Sequence, residues 1–343
     1  MKIALLLLVT AVIPKAKAPF IIGDGAGGFY VSYVADGAFQ MSRIQGDKVS
    51  NTKTIARNAS ASPASFPSIL RDGKVMRAAW QTKNGAHGAM IHLAESADGG
   101  ATWKEAPAPH PNVVSEFGFV SLLPGSDAAV FLDGRGLPNG EEGKGDMQLR
   151  APHAFLDARV CDCCQTAAVM TSAGAVVAYR DRSNFEVRDI SIVRRTSTGW
   201  TQPKTLHADG WEIKGCPVNG PQLDARGKRV AAAWFTGAQN DPRVQVAFSE
   251  DAGANFSKPV RVTSDKTNGR VDVAFIDDDN VIVTYMADGA LHARRVSRKG
   301  TMGVPVRIAA ANGFPRLAVS KENVGVVWTA EDGVHFQVVE GLR

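Results

Sequence analysis

The sequence lacks the features that mark several common functional classes. It has only four cysteines in 343 residues, no lysine or arginine run, and no RNA-binding aromatic motif. We therefore expect no nucleic-acid partner. No segment after the N-terminus shows a helical period over ten or more residues, which excludes a helix bundle. The one long apolar run, Ile3–Ile13, has about eleven residues, whereas a bilayer-spanning helix needs roughly 20. We expect no membrane span.

The N-terminus has the order of a signal peptide. A basic start, Met1-Lys2, precedes the apolar run, and Ala16-Lys17-Ala18 offers a small-x-small cleavage site. We predict a signal peptide over residues 1–18 and a periplasmic or secreted protein. Removal of the three lysines in this segment lowers the formal net charge from +5 to 5 − 3 = +2, so charge alone indicates no particular partner.

The rest of the chain repeats one β-rich unit. An aromatic residue ends a short β-branched or apolar run at seven places, at intervals of 43 to 55 residues by subtraction. These residues are Tyr33, Trp80, Phe131, Tyr179, Trp234, Tyr285 and Trp328. Strand candidates precede and follow most of these runs. Four-stranded units at this period are typical of a β-propeller. We predict an all-β propeller of four-stranded antiparallel blades over residues 19–343, seven blades by repeat count, with Pro19–Gly25 closing the ring against the last unit.

A propeller with this strand order gathers distant loops on one face. Loops that enter the first strand of each unit share this face with the turns between second and third strands. They include Cys161–Cys164, Arg180–Val187, Lys214–Pro221, Thr236–Arg243, Asn268–Asp272 and Asn312–Arg316. We expect the ligand at the mouth of the central channel on this face.

Two turns share the pattern S-x-D-x-G-x-x-aromatic, at Ser96–Trp103 and Ser249–Phe256. The aspartate can accept backbone N–H groups of the turn, the glycine can adopt a positive φ, and the aromatic ring can fill the space between sheets. This pattern resembles the Asp box of the sialidase-like propellers, and the likeness covers the chain after the leader. It implies that scaffold, for which six blades, as in family sialidases, is the alternative to seven. Asp boxes identify a fold and not a reaction.

The resemblance also implies a catalytic set. Family members that cleave sialosides hold the substrate carboxylate with three arginines and use a tyrosine nucleophile. Carried over, it implies Arg180 (or Arg182), Arg270 and Arg316 for the carboxylate and Tyr285 (or Tyr179) as nucleophile. Further ligand contacts are expected from Asp181, Arg182, Arg188, Asn219 and Asp272. The family's early Phe-Arg-Ile-Pro motif has no match here, and no Tyr–Glu pair is evident. Glycosidase activity therefore stays open.

The cysteines indicate different chemistry. Cys161-Asp162-Cys163-Cys164 enters one unit, and Cys216 enters the next at the equivalent position. A bridge from Cys216 to one of the other three is geometrically reasonable, whereas adjacent Cys163 and Cys164 would bond each other only with strain. On an extended strand Cys161 and Cys163 would point one way and Cys164 the other. Three alternatives remain: disulfides only, a metal or redox thiol site, or inert buried cysteines.

Two functional hypotheses follow. The first is an exported propeller that recognises a glycan or other small anionic ligand, with or without glycosidase activity, as a monomer that requires no cofactor. The second is a thiol-cluster module that binds copper, since Cu(I) prefers thiolates, or acts in redox chemistry. Cys-Asp-Cys-Cys, Tyr-Arg-Asp-Arg and Gly-Cys-Pro-Val-Asn-Gly-Pro resemble a bacterial subgroup of sialidase-like proteins without an assigned substrate.

Overall fold

The computed structural model describes residues 10–61, 67–84, 88–125, 129–137, 146–263 and 267–340. Within these ranges the chain folds into short strands joined by tight turns. In chain order the strands are β1 (Thr10–Pro14), β2 (Lys17–Gly23), β3 (Phe29–Ala35), β4 (Ala38–Gln45), β5 (Lys48–Ala56), β6 (Ser68–Asp72), β7 (Val75–Lys83), β8 (Ala89–Ser96), β9 (Lys104–Ala106), β10 (Phe117–Leu122), β11 (Ala129–Asp133), β12 (Met147–Ala151), β13 (Ala154–Val160), β14 (Ala167–Thr171), β15 (Gly174–Arg180), β16 (Ile190–Thr196), β17 (Gly199–Trp200), β18 (Lys204–His207), β19 (Gln222–Arg226), β20 (Arg229–Thr236), β21 (Arg243–Ser249), β22 (Val260–Arg261), β23 (Gly269–Phe275), β24 (Asn280–Ala287), β25 (Ala290–Ser297), β26 (Val306–Ala310), β27 (Asn312–Ser320), β28 (Asn323–Thr329) and β29 (Gly333–Val338).

These strands form seven antiparallel sheets, so the fold is a seven-bladed β-propeller. The blades are β2–β5, β6–β9, β10–β13, β14–β18, β19–β22, β23–β26, and β27–β29 with β1. The count of seven is confirmed, and the six-bladed alternative is wrong. The described residues contain no helix long and apolar enough to cross a membrane.

The repeated aromatic residues explain the regular period. Each of the seven lies in the second strand of its blade, and none is more than 6% exposed. A large ring at this position fills the space between neighbouring sheets, where it removes roughly 150–250 Å² of apolar surface from water. The repeat in the sequence therefore reflects the burial of one aromatic side chain in the second strand of every blade.

Side chains in or next to the innermost strands tie the third to the seventh blades to one another. Ser121 donates to the Thr166 carbonyl across one junction, and Gln165 accepts from the backbone N–H of Gly220 across the following one. Asp224 and Asp272 accept from the backbone N–H groups of Phe275 and Leu317, at 2.7 and 2.8 Å. Because these strands surround a central cavity of about 550 Å³, the bonds fix the width of the channel.

The two S-x-D-x-G-x-x-aromatic turns have the predicted hydrogen bonds. Asp98 accepts the backbone N–H groups of Ala101 and Thr102, and Asp251 accepts that of Asn255 at 2.9 Å. Partial burial raises the pKa of Asp251, but hydrogen bonds from Asn255 and Ser249 outweigh it and lower that pKa to about 2. Both turns lie between the third and fourth strands of their blades, away from the cysteine segments.

The ring closes through β1 and not through Pro19–Gly25, so that prediction is wrong. β1 pairs antiparallel with β29, with Val12 opposite His335, and forms the outermost strand of the last blade. Residues 17–23 are instead β2, the innermost strand of the first blade. The predicted leader, residues 1–18, thus contains β1 and the start of β2, while residues 1–9 lie outside the described ranges. The signal peptide stays a prediction.

We expect a chain that begins at Pro19 to be less stable than one that begins at Thr10. It loses the buried side chains of Ala11 and Ile13 and the pairing with β29, which together contribute roughly 3–5 kcal/mol. Urea titration of both chains gives the difference. Equal midpoints would show that β1 is dispensable for closure, and the mass of the exported chain tests the predicted cleavage.

Candidate functional site

The cysteine segment that follows β13 turns across one face of the propeller. It is a turn and not an extended strand, so the expectation that Cys164 points away from Cys161 is wrong. The turn places the Cys161 and Cys164 sulfurs 3.4 Å apart and those of Cys161 and Cys163 3.8 Å apart. Three sulfur atoms therefore converge within one four-residue stretch.

The fourth cysteine comes from the segment that enters β19. Cys216 forms a disulfide with Cys163, with a Cα–Cα distance of 6.0 Å and a sequence separation of 53 residues. This confirms the predicted bridge from Cys216 to one of the three cysteines of the turn, and the structure identifies the partner as Cys163. Cys161 and Cys164 keep their thiols. Cys161, Cys163 and Cys164 are at most 8% exposed, while Cys216 is exposed. The cluster thus reaches the surface through Cys216.

An arginine and a carboxylate define the charge around Cys161. Arg188 donates to the Cys161 sulfur at 3.2 Å and to Glu186 at 2.9 Å. The hydrogen bond with Cys164 lowers the pKa of Cys161 against the effect of burial, and the nearby charges of Arg180 and Arg188 lower it further, to about 6. Burial raises the pKa of Cys164 well above its usual value. The surroundings therefore favour the thiolate at Cys161 over Cys164.

Arg180, predicted to hold a substrate carboxylate, binds the protein's own backbone instead. Its guanidinium donates to the carbonyl oxygens of Asn219, Arg188 and Phe235 at 2.5 to 2.9 Å and lies over the Trp211 ring at 4.9 Å. The side chain is fully enclosed. Its contacts join the second-to-third-strand turn of one blade to the entry of the next.

Arg270 and Arg316 occupy separate environments. The Arg270 guanidinium lies over the Phe314 ring at 5.1 Å and donates to the Gly313 carbonyl. Arg316 is buried in the channel wall, 4.0 Å from Asp272. Of the predicted catalytic set, only Arg316 lines the central cavity among the residues described. The contacts give the three arginines no common cavity, so the predicted carboxylate cradle has no support in the geometry.

Neither candidate tyrosine faces the channel mouth. Tyr285 lies in the apolar core between two blades, with its ring stacked on His292 at 5.4 Å. Tyr179 is buried and donates to Asp157 at 2.5 Å. Burial, together with the negative charge of Asp157, raises the pKa of Tyr179. Because a nucleophile must reach substrate, these positions argue against the predicted role of either residue.

The remaining predicted ligand contacts make internal bonds. Asp181 accepts from Ser191 and from the Arg182 backbone, and Arg182 pairs with Glu186 at 2.9 Å. Asp272 is a channel residue whose carboxylate accepts two backbone N–H groups, those of Val273 and Leu317. These residues therefore stabilise loops and blade junctions.

Asn219 connects the cysteines with Arg180 and with the start of β23. Its N–H donates to the Cys164 sulfur at 3.4 Å, and its carbonyl accepts from Arg180. Its side-chain oxygen accepts the backbone N–H of Arg270 at 2.6 Å. The sequence prediction that this segment meets Arg180–Val187 and Asn268–Asp272 on one face is borne out by these contacts.

The sequence analysis did not identify two residues of this site, Glu186 and Trp211. Glu186 accepts from Arg182 and Arg188, and the hydrogen bond from Arg182 is the main reason that the pKa of Glu186 falls to about 2. An acid between two arginines at spacings of four and two residues was the available signal. Trp211, which lies against Arg180, had no local signal because its partner is distant in sequence.

Comparisons with known proteins support the fold. No protein-family model matches the chain, and no curated protein matches it in sequence. Solved propellers are similar in structure. A protein of unknown function from Dyadobacter fermentans is 13% identical with a TM-score of 0.55, over 96% of this chain and 97% of that one. The Aleuria aurantia lectin, solved with a methyl fucoside, is 11% identical with a TM-score of 0.54, over 97% and 94%. A Hadza microbial sialidase is 12% identical with a TM-score of 0.53, over 95% and 65%. At these identities the likeness shows the propeller fold alone.

We expect Arg180→Met to lower the free energy of unfolding by about 3 kcal/mol, because buried carbonyl groups lose charged donors. Chemical denaturation gives the value. The matched control is Arg226→Met, whose ion pair with Asp278 is more than half exposed on both sides and contributes less than about 1 kcal/mol. If both variants lost the same amount, the buried contacts of Arg180 would not be a major source of stability.

Proposed function

We propose that the protein binds Cu(I) through the cysteine cluster. The observation that carries the proposal is the pair of buried thiols, Cys161 and Cys164, with sulfurs 3.4 Å apart. Soft thiolate ligands select Cu(I), which accepts few ligands. The Cys163 sulfur lies within 4.8 Å of both, so reduction of its disulfide would add a third ligand.

The charges around the cluster suit an anionic metal–thiolate complex. Cu(I) with two thiolates carries one negative charge, and burying such a charge is costly without a partner. The Arg188 guanidinium, 3.2 Å from the Cys161 sulfur, supplies that partner. The enclosed Arg180 adds a second positive charge nearby. Thiol ligands without adjacent cations would lack this compensation.

Export agrees with this proposal. Disulfides such as Cys163–Cys216 persist in oxidising compartments and are rare in the cytosol. We propose that the protein works in the periplasm or outside the cell, as the N-terminal pattern predicts. An alkylation assay on isolated cell fractions would locate both the protein and its disulfide.

Anaerobic Cu(I) titration against a chromogenic chelator tests the metal site. We expect the wild-type protein to withdraw one equivalent of Cu(I), and Cys161→Ser or Cys164→Ser to lose at least about tenfold in affinity, because each removes one of two thiolates. The Cys163→Ser/Cys216→Ser double variant is the matched control, since it removes the disulfide and retains both thiols. The proposal would be wrong if the chelator kept all its copper in the presence of the wild-type protein. It would also be wrong if a Cys161→Ser/Cys164→Ser double variant bound Cu(I) as tightly as the wild type.

A small glycan at the channel mouth is the second candidate. The observation that favours it is the central cavity of about 550 Å³, a size ordinary for small-molecule sites, with the Arg316–Asp272 pair in its wall. A guanidinium in the wall could attract an acidic sugar. The chain shares its fold with a fucose-bound lectin and a sialidase. This likeness is compatible with a glycan ligand but is not evidence for one.

Calorimetric titration with N-acetylneuraminate, an acidic monosaccharide, tests this candidate. We expect Arg316→Lys to weaken binding about tenfold, because a compact ammonium replaces a bidentate guanidinium. Cys161→Ser should bind like the wild type, since the cluster lies outside the channel wall. Absence of heat with the wild-type protein at millimolar sugar would remove sialic acid as the ligand.

A further inference from the structure

We propose that the cysteine cluster also works as an internal thiol–disulfide relay, which moves the disulfide from Cys163–Cys216 to the buried pair Cys161–Cys164. The relay uses the same four sulfur atoms as the proposed copper site, and this is the one point in which it rests on the proposed function. It assigns a second activity, thiol–disulfide exchange, to a site described above as a metal site. It also gives each cysteine a separate role.

The first step is attack by Cys161 on Cys163. The Cys161 sulfur lies 3.8 Å from the Cys163 sulfur, which is half of the disulfide. Arg188 donates to the Cys161 sulfur at 3.2 Å and holds it beside the disulfide. A Cys161–Cys163 bond forms, the Cys163–Cys216 bond breaks, and the electron pair leaves on Cys216. Because Cys216 is exposed, water can protonate it.

The second step transfers the bond inward. Cys164, 3.4 Å from Cys161, attacks the Cys161 sulfur. A Cys161–Cys164 bond forms and the Cys161–Cys163 bond breaks, with the proton of Cys164 passing to the departing Cys163 sulfur within the 4.8 Å cluster. The cluster holds one disulfide and two reduced sulfurs before and after. The relay therefore needs no external oxidant or reductant.

The positions of the sulfurs favour this route over a shorter one. A direct Cys163–Cys164 bond would join adjacent residues and carry strain. Cys161 is the residue that lies close to both a disulfide sulfur and a second thiol. The Asn219 N–H, which donates to Cys164 at 3.4 Å, stabilises negative charge as Cys164 loses its proton.

The relay has two consequences. It presents Cys216 as a thiol at the surface, where an external disulfide of a partner protein or small molecule can exchange with it. It also converts the two proposed copper ligands into a disulfide, which cannot bind Cu(I) as thiolates do. Transfer of the bond to Cys161–Cys164 would therefore release the metal.

Tryptic mapping after native alkylation distinguishes the two disulfide states. Cleavage at Arg159, Arg180, Lys214 and Arg226 gives one peptide, 160–180, with three cysteines and another, 215–226, with Cys216. The starting disulfide joins the two peptides. After the relay the bond lies within 160–180, and 215–226 is separate and alkylated. Metal-free full-length protein is treated with iodoacetamide under native conditions, and its remaining thiols are then blocked with N-ethylmaleimide in urea. It is digested with trypsin without reductant and analysed by mass spectrometry.

For the wild type we expect alkylated 215–226 together with an internally bonded 160–180 peptide. Cys161→Ser removes the attacking sulfur, so its alkylated 215–226 should fall about tenfold or more. Cys164→Ser is the matched variant: it keeps the first step, and its alkylated 215–226 should accompany a Cys161–Cys163 bond. Circular dichroism confirms that each variant is folded.

Two results would overturn the relay: wild-type protein in which 215–226 stays joined to 160–180, or Cys161→Ser protein that alkylates as fast as the wild type. The copper titration fails or succeeds separately. If Cys216 is alkylated but Cu(I) does not bind, the relay is supported and the proposed copper function is wrong. If Cu(I) binds but the disulfide does not move, the copper function is supported and the relay is wrong.

Discussion

The cysteine site depends on the hydrogen bonds that Arg180 makes to three backbone carbonyls. These bonds hold the entry segment of one blade, at Asn219, against the turn of the preceding blade, at Arg188. Asn219 contacts Cys164 and Arg188 contacts Cys161, so the distance between the two thiols is set by partners that Arg180 joins. A buried guanidinium with its donors bound to carbonyls is a rigid support, because breaking one bond leaves a polar group unsatisfied in a place without water.

The same arginines determine which sulfur chemistry the site favours. Arg180 and Arg188 bring positive charge to a buried place, and Glu186 holds Arg188 in position. Negative sulfur is stabilised there at Cys161, whereas burial and the neighbouring Cys161 sulfur raise the pKa of Cys164. A thiolate next to a protonated thiol suits both metal capture and disulfide exchange, since each begins with an anionic sulfur. The oxidation state of Cys161 and Cys164 then decides between the two: as thiols they can bind metal, and as a disulfide they cannot.

Much of the scaffold could be predicted from the sequence, because a propeller repeats its burial pattern and seven aromatic positions repeat with it. An inter-blade disulfide could be predicted because Cys216 enters its unit at the place equivalent to Cys161–Cys164, but which of the three cysteines it joins could not. Other features depended on distant contacts. Arg180 binds carbonyls 39 and 55 residues away, so its motif could not distinguish a structural role from a substrate contact. The turn at Cys161–Cys164 was missed because alternation along a strand was assumed, and β1 was missed because its residues also match a leader.

The position of the site follows from the propeller, and its chemistry follows from the loops. Entry segments of successive blades meet on one face whatever their sequence, so unrelated propellers share a site location without sharing a ligand. In this chain Arg180 and Arg270 bind backbone carbonyls and lie over aromatic rings, and Arg316 lies in the channel wall, while the sulfur atoms are the groups brought together. Asn219 touches both regions, through Cys164 on one side and Arg270 on the other. A change in the bonding of Cys164 would therefore act directly on the residue that holds the backbone N–H of Arg270.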